Sequence, residues 1–417
     1  MPRTFLPALV ALVVSQGTAA TSRPEPATLG YYRSPAVHGA TIVFTAEGDL
    51  WTVPLEGGVA RRLTSHLGEE SHAAISPDGS TIAFSASYEG PTEVYTMPLG
   101  GGLPTRRTWE GAPALVVGWT PEGRILYTTP GSSTLPSWQL ATIDPRGGRR
   151  ELLPLAEASD GTFDPTGRTL YFTRYAFQGS HTKRYQGGTA QNIWQYVTGA
   201  AEAIPLTADY AGTSRAPMWW EHRIYFASDR DGSLNLWSMD EAGHDLKQLT
   251  HHRGWDVLSP ALADGHIVYQ LGADLHRYDI ASAADTTLDI RLATDFDQRR
   301  VRWVTNPMDY LTTAHLSTDG SRVALTARGQ VFVAPTGQAG GRFVDVTQAS
   351  GAQVRYRQAR FAPDGKTVLA LSDRSGETEW WRLPANGVGD PEQLTRDARV
   401  LRWDGVPSPD GQWLASY

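Results

Sequence analysis

Ser76-Pro77-Asp78-Gly79, then Ser80, then the apolar run Thr81-Ile82-Ala83-Phe84, is the stretch that decides the fold. Proline and aspartate preset turn geometry and glycine accepts positive φ, so the tetrapeptide reads as a tight turn delivering the chain into a β-strand. The same turn recurs as Thr120-Pro121-Glu122-Gly123, Asp164-Pro165-Thr166-Gly167, Ser317-Thr318-Asp319-Gly320, Ala362-Pro363-Asp364-Gly365 and Ser408-Pro409-Asp410-Gly411. Looser versions stand at Val37-His38-Gly39, Trp220-Glu221-His222 and Ala263-Asp264-Gly265. Counted from the last residue of each turn, the spacings are 40, 44, 44, 55, 43, 55, 45 and 46. A period of that size marks a propeller or a solenoid.

The interior of the repeat chooses between them. Each turn leads into a β-rich run such as Thr41-Ile42-Val43-Phe44, Arg124-Ile125-Leu126-Tyr127, Thr169-Leu170-Tyr171-Phe172 or Arg223-Ile224-Tyr225-Phe226. A second turn follows, as in Ser228-Asp229-Arg230-Asp231-Gly232, and then an aromatic strand around Leu50-Trp51, Val94-Tyr95, Ile193-Trp194, Leu236-Trp237 or Trp380-Trp381. A Gly-rich turn comes next, and the repeat ends on Arg62-Leu63-Thr64, Gln248-Leu249-Thr250 or Gln393-Leu394-Thr395. Four antiparallel strands joined by three hairpins make one propeller blade, and no segment sustains a helical period. The expected fold is all-β: a six-bladed propeller over 28–292, a connector over 293–309, and over 310–417 two blades and the start of a third of a second propeller. That last series stops after Trp413-Leu414-Ala415-Ser416-Tyr417, leaving an uncovered strand edge, so the chain reads as the N-terminal part of a longer protein.

Composition narrows the function. The chain has 417 residues with 42 Gly, 27 Pro, 14 Trp and no Cys, which rules out disulfides, thiolate metal sites and a thiol nucleophile. The formal charge of −7 is the wrong sign for binding nucleic acid by counterion release. Met1-Pro2-Arg3, the apolar run Phe5–Val14 and Thr18-Ala19-Ala20 follow the order of a secretory signal over 1–20, too short to span a bilayer. The expected location is therefore periplasmic or secreted.

Chemistry is sparse. Gly212-Thr213-Ser214-Arg215-Ala216 is not a nucleophile elbow, because its last residue is not glycine. His251-His252 is an adjacent histidine pair, but neighbours on a strand face opposite ways, and no metal or other cofactor is expected. Asp229-Arg230-Asp231-Gly232 imitates the start of a calcium loop without its later glutamate and reads as a hairpin turn. The repeated Trp and Tyr residues read as packing between blades. Phe177–Ala190 breaks the repeat by lengthening the fourth blade. Its Lys183, Arg184 and Tyr185, beside Gly187-Gly188, are the candidate peptide-contact residues.

The chain resembles the N-terminal part of the tricorn-type serine proteases. The likeness rests on Leu29-Gly30-Tyr31-Tyr32-Arg33-Ser34-Pro35-Ala36-Val37-His38-Gly39 with Asp49-Leu50-Trp51, on Arg184-Tyr185-Gln186-Gly187-Gly188-Thr189 before Ile193-Trp194, and on six blades followed by a second propeller. The resemblance implies a seven-bladed second propeller, a C-terminal PDZ-like domain, and mixed α/β domains bearing the catalytic Ser and His. It also implies peptide substrates, propellers that gate and scaffold, and a homo-oligomer, a hexamer. No catalytic residue falls in this segment, which is expected to be inactive alone. In the family a basic pair in the loop after the second blade holds a peptide carboxylate. That loop here is Glu110-Gly111-Ala112-Pro113, and Arg106-Arg107 lie earlier. Archetypal members are cytoplasmic, unlike the export read from residues 1–20. Two other readings are a non-catalytic TolB-like periplasmic protein-binding propeller and the propeller lid of a prolyl-oligopeptidase-like hydrolase.

Overall fold

The turn at Ser76-Pro77-Asp78-Gly79 closes through its own side chains. Ser76 Oγ donates to Asp78 Oδ1 at 2.5 Å, Asp78 Oδ1 accepts the Ser80 amide at 3.0 Å, and Gly79 takes φ +70°. These bonds to the ionised form hold the Asp78 carboxyl down at about 2. Ser317/Asp319 and Ser408/Asp410 repeat the arrangement.

In this computed structural model, residues 30–135, 137–176, 185–295, 303–337, 341–347, 354–397 and 401–416 are described. The expected signal segment, Lys183 and Arg184 lie outside them. Two compact units divide after residue 300. Among the described residues there is no α-helix, only one 3₁₀ turn at Pro307–Tyr310.

The first unit is six antiparallel four-stranded blades. Blade 1 runs Arg33–His38, Thr41–Ala46, Asp49–Pro54 and Gly58–Arg62, from the inside outward. The inner strands of blades 2 to 6 are Glu70–Ile75, Leu115–Trp119, Asp160–Phe163, Ser214–Trp220 and Val257–Ala263. Each inner strand packs on the next, and the sixth packs on the first. A further strand, Ile290–Leu292, runs parallel to Gly58–Arg62 with Ile290 opposite Gly58, making blade 1 five-stranded. The Tyr32 hydroxyl donates to the Ile290 carbonyl at 2.8 Å, and the Gly39 amide donates to Asp264 Oδ2 at 2.8 Å. Chain start and chain end of the unit thus meet in one blade.

The core is six layers, one between each pair of neighbouring blades. A strand with a blade on both faces is apolar through its centre, which is why the second strands share runs such as Ile42-Val43-Phe44 and Ile82-Ala83-Phe84. Successive side chains point to opposite faces. Ile42 and Phe44 pack toward blade 6, while Val43 joins Ile82 and Phe84 of blade 2. Ala83 then faces blade 3, and Leu126, Tyr171 and Tyr225 carry the pattern around the ring. The last layer joins Val268 and Leu275 of blade 6, with Ile290, to Trp51 and Val53 of blade 1.

In four of the six blades of the first unit the threonine that ends the repeat has a structural task. Thr64, Thr108, Thr207 and Thr250 each accept, through Oγ1, the amide of a third-strand residue at 2.8–2.9 Å. The residue two before it caps the threonine carbonyl: Arg62 at 3.0 Å, Arg106 at 2.8 Å, Gln248 at 2.9 Å. These bonds satisfy backbone groups at the point where the short outer strand turns toward the next blade.

In the second unit, Leu311–Leu316, Arg322–Ala327, Gln330–Pro335 and Val344–Asp345 form one blade. Tyr356–Phe361, Thr367–Ser372, Glu379–Pro384 and Glu392–Gln393 form another, and Gly405–Pro407 pairs with Leu414–Ser416. Thr395 Oγ1 accepts the Trp380 amide at 2.9 Å, the same clamp as in the first unit.

Ile290→Ala should destabilise the first unit by about 2–5 kcal/mol, the cost of a buried large-to-small change. Amide exchange should accelerate at Gly58–Ala60 and in blade 1 before it does in blades 3 and 4. Uniform acceleration around the ring would contradict a seam held by Ile290.

Candidate functional site: the central channel

The six inner strands surround a cavity of about 420 Å³. Its wall is not regular sheet. The ladder between inner and second strand is interrupted in blades 1, 2, 5 and 6, at Arg33/Ala36, Ser71/Ala74, Arg215/Met218 and Leu258/Ala261. At each interruption one non-glycine residue takes left-handed φ: Ser34 (47°), His72 (51°), Ala216 (52°) and Ser259 (46°). Three of these precede Pro35, Pro217 and Pro260, which have no N–H to give a ladder and so suit its interruption. A bulge leaves a residue out of the pairing and bends the strand. Each such conformation costs on the order of 1–3 kcal/mol and persists only where surrounding structure enforces it. Blade 4 keeps an unbroken ladder over Asp160–Phe163, and blade 3 skips Val117.

Charge gathers near the first residues of the inner strands. Arg33 pairs with Glu69 at 2.6 Å and Arg215 with Asp160 at 3.5 Å. His72 projects among them. Its surface is open to the channel, yet the wall crowds it, and this desolvation draws its pKa below the usual imidazole value. Asp160 opposes that shift and Arg215 reinforces it. Near the last residues of the strands, Trp119 donates to the Ala74 carbonyl at 3.0 Å and Trp219 to Glu241 at 2.6 Å. One end of the wall is thus charged and the other aromatic. Gly118 lines the cavity, and a Cβ there would meet no atom within 4 Å.

His72 Nδ1 lies 2.9 Å from Ser71 Oγ, but among the described residues no carboxylate is bonded to the other ring nitrogen to orient it. Of the candidate contact residues, Tyr185 is described and lies outside the channel lining. Its hydroxyl accepts from Thr189 Oγ1 at 3.0 Å, and its ring sits where a Cβ of Gly187 would fall. Glycine at 187 therefore leaves room for the tyrosine. The segment enters between Thr169–Thr173 and Ile193–Val197, the second and third strands of blade 4. Glu110, in the loop after the second blade where the sequence lacks the basic pair, accepts from Tyr127 at 2.8 Å and pairs with Arg150 at 2.5 Å. His252 meets His276 and Asp285, a cluster taken up below. The sequence reading missed the bulge residues; Pro35, Pro217 and Pro260 were the signal that could have marked three of them.

The family model described as the tricorn protease N-terminal beta propeller domain matches residues 29–284. The chain belongs to the tricorn protease family. Tricorn protease homolog 1 of Streptomyces coelicolor is 31% identical over 408 residues, 94% of this chain and 37% of that protein. The tricorn protease homolog of Saccharolobus solfataricus is 29% identical over 349 residues, 82% of this chain and 32% of that protein. A crystal structure of the tricorn protease superposes with a TM-score of 0.65 at 21% identity, over 93% of this chain and 42% of that one, a likeness of fold. The chain spans about a third of the length of these curated tricorn relatives.

Behind the wall, Glu70 opens the inner strand of blade 2 and is buried. Burial pushes its carboxyl up to about 7, with Asp49 adding to the shift; bonds from Thr64, Tyr88 and the Leu50 amide oppose it. The folded state therefore binds this proton more tightly than the unfolded one. The resulting stabilisation is complete below about 4.5 and lost as pH rises through about 7. Glu70→Gln should flatten that loss: urea midpoints of the parent should fall between pH 4.5 and 7 more steeply than those of the variant. Equal slopes would show that Glu70 does not carry the proton.

Proposed function

We propose that this chain is the gating and scaffolding propeller region of a serine-type peptidase, with the catalytic Ser and His on sequence C-terminal to it. The observation that supports this most is the bulged, charge-rimmed channel enclosed by six blades, together with family membership. Its mechanism is sieving. A cavity of this size accepts an extended peptide whose backbone and side chains exchange water for the polar wall, and a folded domain does not enter. Substrates are accordingly peptides, and the partners are the protein's own PDZ-like and catalytic domains in a homo-oligomeric assembly. The channel needs no cofactor for this task. Residues 1–20 support export, so we extend the proposal to a periplasmic or secreted enzyme.

Gly118→Trp tests the sieve. A Cβ at this position meets no atom within 4 Å and the residue lines the channel, so the first unit should keep its melting temperature while the channel narrows. In the enzyme carrying its catalytic domains, hydrolysis of longer peptides should slow several-fold and that of dipeptide reporters much less. Unchanged rates for both, with the fold intact, would show that substrate does not pass this way.

A further inference from the structure

Three side chains from three successive segments of the chain converge beside blade 6. His252 sits in the connection from blade 5, His276 on the third strand of blade 6 (Asp274–Asp279), and Asp285 on its fourth (Ala284–Thr287). Each offers a donor atom, and these atoms all lie within 4.8 Å of one another. Asp285 Oδ2 is 3.0 Å from His252 Nε2, and Asp285 Oδ1 is 3.3 Å from His276 Nδ1. Ligands bound to one small divalent ion at about 2.0–2.2 Å stand roughly 3–4 Å apart, so a slight contraction brings all three onto one centre.

The surroundings have the form of an outer shell. The Tyr269 hydroxyl, on a fully buried ring, donates to Asp285 Oδ1 at 2.7 Å; it also lies 2.8 Å from His252 Nε2, a contact that an ion held at that nitrogen would replace. Thr287 Oγ1 is 3.1 Å from His276 Nε2, so the tautomer that donates to Thr287 leaves Nδ1 free toward the cluster. The side chains are 19%, 14% and 25% exposed, enough for an ion to enter and little enough to fix the rings. Two imidazoles and one carboxylate are a donor set for borderline transition ions and a poor one for calcium or magnesium, which take oxygen ligands.

We propose that His252, His276 and Asp285 bind one divalent transition ion of the zinc class. The ion ties the blade 5–6 connection to the outermost strand of blade 6. That strand leads within three residues to Ile290–Leu292, the seam strand, so the ion acts as a clip on ring closure. The inference does not depend on the proposed peptidase function.

The test uses the whole chain, freed of metal by chelator and titrated with Co²⁺ under visible absorption, followed by Zn²⁺ competition and thermal melts. One equivalent of Co²⁺ should bind, Zn²⁺ should displace it, and the melting temperature should rise with metal. Asp285→Asn, which preserves shape, and His276→Ala should lose the signal. Tyr269→Phe keeps all three ligands and should weaken binding roughly 10–100-fold. Absence of stoichiometric binding by the folded parent would overturn the proposal. So would binding that survives in the His252→Ala/His276→Ala double variant or is unaffected in Tyr269→Phe.

Discussion

A ring of antiparallel sheets has one seam, and here the seam is three residues of parallel strand backed by one apolar layer. Ile290, Arg291 and Leu292 pair with Gly58, Val59 and Ala60. Five of the six inter-blade layers form between blades that follow one another in the chain. The sixth joins residues more than two hundred positions apart, Val268 and Leu275 against Ile42 and Phe44. Its formation carries the largest loop-closure cost, so it decides whether the blades make a closed ring or an open stack. Tyr32 serves both sides at once: its ring lies edge-on to Phe44 at 5.4 Å and its hydroxyl holds the Ile290 carbonyl.

Closure turns six separate inner strands into one wall. Left-handed residues at Ser34, His72, Ala216 and Ser259 are affordable because the second strands behind them are locked on both faces. The rigid layers hold the strained residues in place. The alternating signs of Arg33, Glu69, Asp160 and Arg215 balance locally, so the wall offers hydrogen-bonding and charged groups without a strong net field.

Blade architecture was legible because its determinants are local. Ser76-Pro77-Asp78-Gly79 carries its hydrogen-bond scheme within the six residues Ser76 to Thr81. The closing Arg62-Leu63-Thr64 and Gln248-Leu249-Thr250 were legible as a repeat, although their work, an amide clamp with a capped carbonyl, was not. Ile290–Leu292 escaped notice because it has no turn signature and pairs with a strand at the other end of the unit. His72 and Ala216 carry no residue-type signal for positive φ of the kind glycine gives. His252 was set aside on its neighbour His251, whereas its partners His276 and Asp285 come from other strands through register. Of the lengthened blade 4 loop, Tyr185 was read from the sequence as a candidate peptide contact; in the structure its hydroxyl closes on Thr189 over Gly187.

The seam can be trapped directly, because the chain has no cysteine of its own. Val59 and Arg291 face each other in register, both exposed, in the spacing of paired strands that a disulfide can bridge. In the Val59→Cys/Arg291→Cys variant, mild oxidation should give a near-quantitative intramolecular bond, read as loss of free thiol, a monomeric mass and a higher melting temperature. Free thiols that persist, or covalent dimers in place of a closed monomer, would contradict a ring that shuts with six blades.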